Sequence, residues 1–156
     1  MPALLIIFIT VQITLLLFMA LHDIIPVPPL NDIDTLARDH SLLSRCLNGL
    51  INSIFVIIPL ALTIYYMPNL PFWAVCTCVV FYGILTVGTV FAWWVPYLFG
   101  SSATHKQEFM MFKNTHHFLP ARGDNVIPNT LHVLLHLQVW FCLGVAIYFV
   151  ITLIRL

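Results

Sequence analysis

The sequence predicts an all-α integral membrane protein: an antiparallel bundle of four transmembrane helices with a structured, amphipathic third loop. Three observations lead there. Of 156 residues, 61% are hydrophobic and only 8% charged, where a soluble chain carries about 25% charged residues. Four long runs are almost free of Asp, Glu, Lys and Arg. Those runs also lack the alternation of polar and apolar residues that a membrane β-barrel requires. A mean hydropathy of +0.99 agrees. Six Lys+Arg against six Asp+Glu give zero net charge, which excludes a nucleic-acid binder with a basic face and a highly charged disordered tail.

The four spans are expected at about 3–22, 41–67, 70–99 and 130–154, within a single membrane domain over 1–156. The first, ALLIIFITVQITLLLFMAL, is long enough to cross a hydrocarbon core of roughly 30 Å. It lacks the basic n-region and A-x-A site of a signal peptide. The second contains Pro59, expected to kink it because the ring removes a hydrogen bond. The third is bounded by Pro71, which suits a first helical turn, and meets Pro96 behind Trp93 and Trp94, a point where it should kink or end. The fourth carries His132, His136 and Gln138 and stops at Arg155.

Charge sets the orientation. Arg38, Arg45, Lys106, Lys113 and Arg122 lie on or beside the first and third loops (23–40 and 101–129), whereas the other side has only Arg155. That bias puts both polar loops in the cytoplasm and both termini outside, in the plasma (inner) membrane. The Arg122-Gly123-Asp124 tripeptide then reads as a turn on the cytoplasmic side, not as an adhesion signal. Cys46, Cys76, Cys78 and Cys142 lie in or beside apolar helices, lack Cys-x-x-Cys spacing, and read as small buried hydrophobes.

Polar residues enter the helices at their cytoplasmic ends. Ser41, Arg45, Asn48 and Asn52 follow steps of four, three and four, and Asn129, His132 and His136 steps of three and four, so each set forms a stripe on one helix face. Tyr97, Ser101, His105 and Glu108 have similar spacing if the third helix continues past Pro96. His22 and Asp23 end the first helix at the same level. Polar side chains in membrane helices face the bundle interior or a watery cavity, so matched stripes predict a pocket open to the cytoplasm.

Loop three is too long and too apolar for a simple connection. Glu108–Asn114, EFMMFKN, reads as a short amphipathic helix at the interface, with Lys106 and Lys113 toward anionic headgroups. Asn129 is the expected N-cap of the fourth helix. In loop one, Asn31-Asp32-Ile33-Asp34 can cap a short helix through Ala37. The two loops are expected to form a lid, with Asp124 or Asp39 as partner for Arg45 or Arg122.

The candidate ligand-binding residues are therefore Arg45, Asn48, Asn52, His116, His117, Arg122, Asn129, His132 and His136. Arginine suits a phosphate or carboxylate, so the expected ligand is a lipid headgroup or an amphipathic molecule. The alternative is a lipid-modifying enzyme with His132 or His136 as general base and Asn48 or Asn52 orienting substrate. A further alternative is a structural subunit, as homo-oligomer or within a larger membrane complex. His132 and His136 at i, i+4 give only two metal ligands; a third would have to come from Glu108, His116 or His117, and H-E-x-x-H is absent. No metal is assigned. Two histidines on one helical face do not bracket a haem, and no cofactor is specified.

Overall fold

The computed structural model describes residues 2–155. It is all-helical, without strands among those residues. Four helical stretches, Ala3–Leu21, Leu42–Tyr66, Phe72–Phe99 and Thr130–Ile154, are long and apolar enough to cross a membrane. In chain order the elements are α1 (Pro2–Leu21), α2 (Ile33–Asp39), α3 (Leu42–Tyr66), α4 (Phe72–Thr89), α5 (Val95–Phe99), α6 (Ala103–Glu108) and α7 (Thr130–Ile154).

Short polar side chains start these helices where the chain leaves a loop. Backbone N–H groups in a first helical turn have no partner inside the helix. Ser41 Oγ accepts from Ser44 N at 3.2 Å, Asp32 Oδ1 from Thr35 N at 3.0 Å, Ser102 Oγ from His105 N at 3.2 Å, and Asn129 Oδ1 from His132 N at 2.9 Å. Pro71 stands just outside α4 as its cap residue, extended at ψ 150°, and not within the first turn. Helix α3 is helical throughout, Pro59 included.

The helices meet through contacts that run in opposite chain order. Along α1 and α7, Phe8 meets Phe149 (ring centroids 5.8 Å), Thr14 bonds Gln138 (3.2 Å) and His22 meets His132 (5.8 Å). Along α1 and α3, Gln12 bonds Thr63 (3.3 Å), while a Cβ on Gly49 would lie 3.2 Å from the Ala20 carbonyl oxygen. Absence of a side chain at Gly49 is what lets those backbones approach. Helices α3 and α4 meet at Tyr66–Trp73 and Phe55–Phe81.

The apolar core gathers Phe8, Leu15, Val56, Val75, Val139, Cys142 and Ala146 from all four long helices. One polar chain runs through it. Tyr82 Oη donates to Gln12 Oε1 at 2.9 Å, Gln12 Nε2 donates to Thr63 Oγ1 at 3.3 Å, and Thr63 Oγ1 donates to the Pro59 carbonyl at 2.8 Å. Gln12, Thr63 and Tyr82 are fully buried, so each would be costly without these partners.

Pro96 neither ends the third span nor leaves it regular. Helix α4 passes into a π turn at Val90–Trp94 and continues as α5 to Phe99. Wider π turns interrupt α-helices locally, and here one lies immediately ahead of the proline ring. Pro96 has no N–H for the carbonyl one turn back, at Ala92. His105 supplies it: its Nε2 lies 3.1 Å from the Ala92 oxygen, and since a carbonyl only accepts, Nε2 carries the proton. The helix stops at Gly100, whose φ of +89° favours glycine. The expected stripe of Tyr97, Ser101, His105 and Glu108 is therefore broken between its first two members. His105→Phe should lower stability by about 1 kcal/mol by leaving the Ala92 carbonyl unanswered, and Pro96→Ala should abolish most of that loss. A double-mutant cycle on thermal unfolding in detergent measures the coupling.

Candidate functional site

At the end of α1, the start of α3 and the start of α7, a cavity of about 290 Å³ opens between the loops. Helix α1 supplies His22 and Asp23 from the turn that follows it. Helix α2 supplies Leu36 and adjoining His40, α3 supplies Arg45, Asn48, Ile51 and Asn52, and α7 supplies His132. Met111 and Phe112 come from a 3-10 turn, Phe109–Phe112, that follows α6. The α3 spacing explains its share, because residues three and four apart lie on one face.

Arg45 is the charged centre of this wall. Its side chain is nine-tenths buried, and Nη1 donates to the Asp23 backbone carbonyl at 2.9 Å. Nε has no hydrogen-bond partner, and no carboxylate lies within 4 Å of the guanidinium among the described residues. The expected pairing of Arg45 or Arg122 with Asp124 or Asp39 does not form. Lys106 instead bonds Asp124, and Arg122 lies over the Tyr97 ring at 5.4 Å, a cation–π arrangement. Loop geometry decides this: Asn125 Nδ2 donates to the Tyr97 carbonyl at 3.0 Å and Tyr97 Oη to the Pro120 carbonyl at 3.0 Å, tying residues 120–125 to α5.

His132 is held on several sides. Its ring lies 4.3 Å from Trp93 and 4.9 Å from Phe112, centroid to centroid. Its Nδ1 is 2.6 Å from Asn129 Oδ1. The same Asn129 donates through Nδ2 to Thr115 Oγ1 (3.1 Å) and to the Leu30 carbonyl (3.4 Å), so its amide orientation is set by partners on both sides. An amide oxygen only accepts, hence His132 carries its proton on Nδ1. The Nε2 lone pair is left with no hydrogen-bond partner among the described residues.

The other sequence-selected residues fall elsewhere. Asn129 lies beside the cavity in a narrow adjoining cleft with Asn31, Asp32 and Ile33. His116 is a latch: its backbone N donates to the Pro29 carbonyl at 2.8 Å, and its Nδ1 is 2.7 Å from Thr130 Oγ1. His117 sits between the Phe112 and Pro128 carbonyls and lines a second cavity of about 280 Å³ with Lys106, Lys113 and Asp124. His136 is fully buried deeper in the bundle, where its Nδ1 accepts from Trp94 Nε1 at 3.1 Å. Arg122 lines none of these three cavities.

Loop three departs from the expected helix over Glu108–Asn114. Ser102 caps α6 from the other side of Gly100, so the α-helix lies over Ala103–Glu108 and the apolar residues form the 3-10 turn. Phe109 and Phe112 face inward on Trp93, at 4.5 and 5.2 Å, while Met110 is exposed. The sequence reading missed His22 and His40 as cavity residues. His22 was visible as a polar residue ending α1; no spacing tied His40 to it, because α2 brings it there.

Among the described residues, no three or more His, Cys, Asp or Glu side chains are grouped to hold a metal ion. No known protein family, curated protein or solved structure matches the chain.

The cleft's acid dependence follows from Asp32. The backbone N–H of Thr35, and then its hydroxyl, stabilise the carboxylate and lower its pKa from 3.8. A lowered folded-state value means that this stabilisation is present above pH 3.8 and is lost as pH falls through the folded pKa. Amide exchange at Thr35 should therefore be slowed at pH 5 and lose that protection only as pH falls below 3.8, through the lowered folded-state pKa of Asp32. Asp32→Asn should keep the cap and remove the acid step.

Proposed function

We propose that this chain is an antiparallel four-span membrane protein whose loop-end cavity binds the anionic head of a lipid or other amphipathic molecule. The opposed contact order of α1 with α7 and with α3 supports the antiparallel arrangement. Most exposed residues on the long helices, among them Ile6, Leu50, Ile57, Val80 and Ile147, are apolar and suit contact with lipid. Five of six Lys and Arg side chains belong to the cavity end, which supports a cytoplasmic cavity and termini on the outer side of a plasma (inner) membrane.

The observation that carries the reading is Arg45: a nine-tenths buried guanidinium lining a cavity, with one N–H unanswered and no carboxylate beside it. A buried cation requires compensation, and a phosphate or carboxylate matches the planar fork. Asn48 and Asn52 add amide donors on the same wall. The apolar share, Leu36, Ile51, Met111 and Phe112, suits the first part of a lipid's stem. A volume of about 290 Å³ is at the low end for ligand pockets, the scale of a head and not of a whole lipid.

A second reading, catalysis on such a lipid, is favoured by one observation: His132 has its tautomer set by Asn129 and its Nε2 lone pair unused, the arrangement of a general base. Steady turnover of a bound lipid, lost in His132→Gln while binding persists, would select it.

Two outcomes are expected. Purified protein in mild detergent should gain thermal stability with an anionic phospholipid, and Arg45→Gln should lose most of that gain, corresponding to at least a tenfold loss of affinity for a charge-assisted contact. In a background without the four native cysteines, a cysteine at Asn48 should react with a membrane-impermeant thiol reagent only from the cytoplasmic side. Labelling only from the outer side would reverse the orientation.

A further inference from the structure

The cavity has two unlike ends, and their chemistry narrows the ligand class; the argument rests on the binding reading above. At one end Arg45, which lines the cavity with no carboxylate of the described residues within 4 Å of it, brings a full positive charge. At the other His132 offers an acceptor and nothing else. Its Nδ1 proton is committed to Asn129 Oδ1 at 2.6 Å, and that oxygen cannot turn away because the amide nitrogen is held by Thr115 Oγ1 and the Leu30 carbonyl. A neutral imidazole with Nδ1–H presents only a lone pair at Nε2. The ligand must therefore bring a negative charge and, beside it, a hydrogen-bond donor.

The donor is either a hydroxyl or an ammonium, and the remaining charges decide between them. Asp23 is the sole carboxylate lining this cavity. It faces the ring of His22, whose Nε2 is 3.3 Å from Asp23 Oδ1. The other nitrogen of His22, Nδ1, is 3.0 Å from the Phe18 carbonyl. A carbonyl only accepts, so Nδ1 carries a proton toward Phe18, and Asp23 Oδ1 is turned to this ring and not to Arg45. His40, the remaining titratable group on the wall, comes from the end of α2 and adds no negative charge. An ammonium would bring a second positive charge into the cavity beside Arg45, while a hydroxyl adds none and needs only the His132 lone pair.

From this pairing we infer that the cavity recognises a phosphate ester bearing a free hydroxyl, the chemistry of a glycerophosphate head: phosphate on Arg45, hydroxyl donating to His132 Nε2. A membrane lipid and a soluble polyol phosphate share this chemistry.

The test compares two heads of equal charge and one zwitterionic head. Binding of phosphatidylglycerol, phosphatidylpropanol and phosphatidylethanolamine to the full chain is measured by native mass spectrometry from mild detergent, with glycerol 3-phosphate as soluble competitor. Phosphatidylglycerol and phosphatidylpropanol carry the same phosphodiester charge and differ only in the hydroxyls. Wild-type protein should prefer phosphatidylglycerol by about three- to tenfold, the scale of one net hydrogen bond, and should bind phosphatidylethanolamine more weakly than either. His132→Phe should bring the first two lipids to equal affinity. The wild-type comparison stands by itself if that variant does not fold. Displacement of the lipid by millimolar glycerol 3-phosphate makes the soluble ester the ligand; retention of the lipid makes it the membrane head. Equal wild-type affinity for phosphatidylglycerol and phosphatidylpropanol, with Arg45→Gln still weakening both, overturns the hydroxyl assignment and leaves the anionic-head reading standing. Tightest binding of phosphatidylethanolamine overturns the charge argument. Absence of Arg45-dependent binding to every head overturns both.

Discussion

A buried hydrogen-bonding group without a partner costs about 1–3 kcal/mol, and a chain with 8% charged residues has few side chains with which to provide one. The bundle meets that constraint by reaching between helices. Gln12 serves as acceptor for Tyr82 and donor to Thr63, so one residue of α1 engages both α3 and α4. His105, outside the spans, supplies the N–H that Pro96 withholds from Ala92. Thr10, Ser53, Thr77 and Thr152 return their hydroxyls to the carbonyl four residues back and make no demand on a neighbour. Gln12, Thr63, Tyr82 and these hydroxyls are thus committed to holding the fold.

Arg45 and His132 stand out against that background. Each makes one contact that fixes it, Arg45 to the Asp23 carbonyl and His132 to Asn129, and both line the same cavity. Thr86 Oγ1, Ser101 Oγ and Trp140 Nε1 are also buried without partners among the described residues, but none of these residues lines the cavity. His136 shows the difference from the other side. It too has an unpartnered nitrogen, yet it is enclosed by Trp93, Trp94 and Trp140, with ring centroids at 6.1–6.3 Å, and lines none of the three cavities described. The sequence spacing that joined His132 and His136 on one helix face did not distinguish a residue at the mouth from one behind an indole wall.

The four long helices were legible because apolar run length is a one-dimensional property, and the starts of α3, α7 and the short α2 because Ser41, Asn129 and Asp32 are capping residues. The Arg45, Asn48, Asn52 wall was legible for the same reason: helical spacing places residues three and four apart on one face. Pairings that depend on loop paths were not. Nothing in the order of residues told Asp124 to choose Lys106 over Arg122; the tether of Asn125 and Pro120 to Tyr97 did. Loop three was misread for a similarly local reason. Gly100 at φ +89° and the Ser102 cap restart the helix six residues ahead of the apolar cluster. Phe109 and Phe112 then turn onto Trp93 and become a wall of the bundle where an interfacial helix was expected.

That wall ties the site to the loops in a way that constrains any ligand. Phe112 touches His132 directly, α2 contributes Leu36, and His116 and Asn129 bond backbone carbonyls of the first loop at Pro29 and Leu30. The first loop, the third loop and the start of α7 therefore share hydrogen bonds at the residue that fixes the His132 tautomer. Loosening the loops would release Asn129, and with it the one-sided presentation of Nε2. On the binding reading, a ligand that seats its head between Arg45 and His132 favours the conformation in which these bonds are closed, because only there are both ends of the cavity set. Recognition and ordering of the loops are then one equilibrium: substitutions at Thr115 or Asn129, remote from the phosphate end, weaken binding through the population of closed loops.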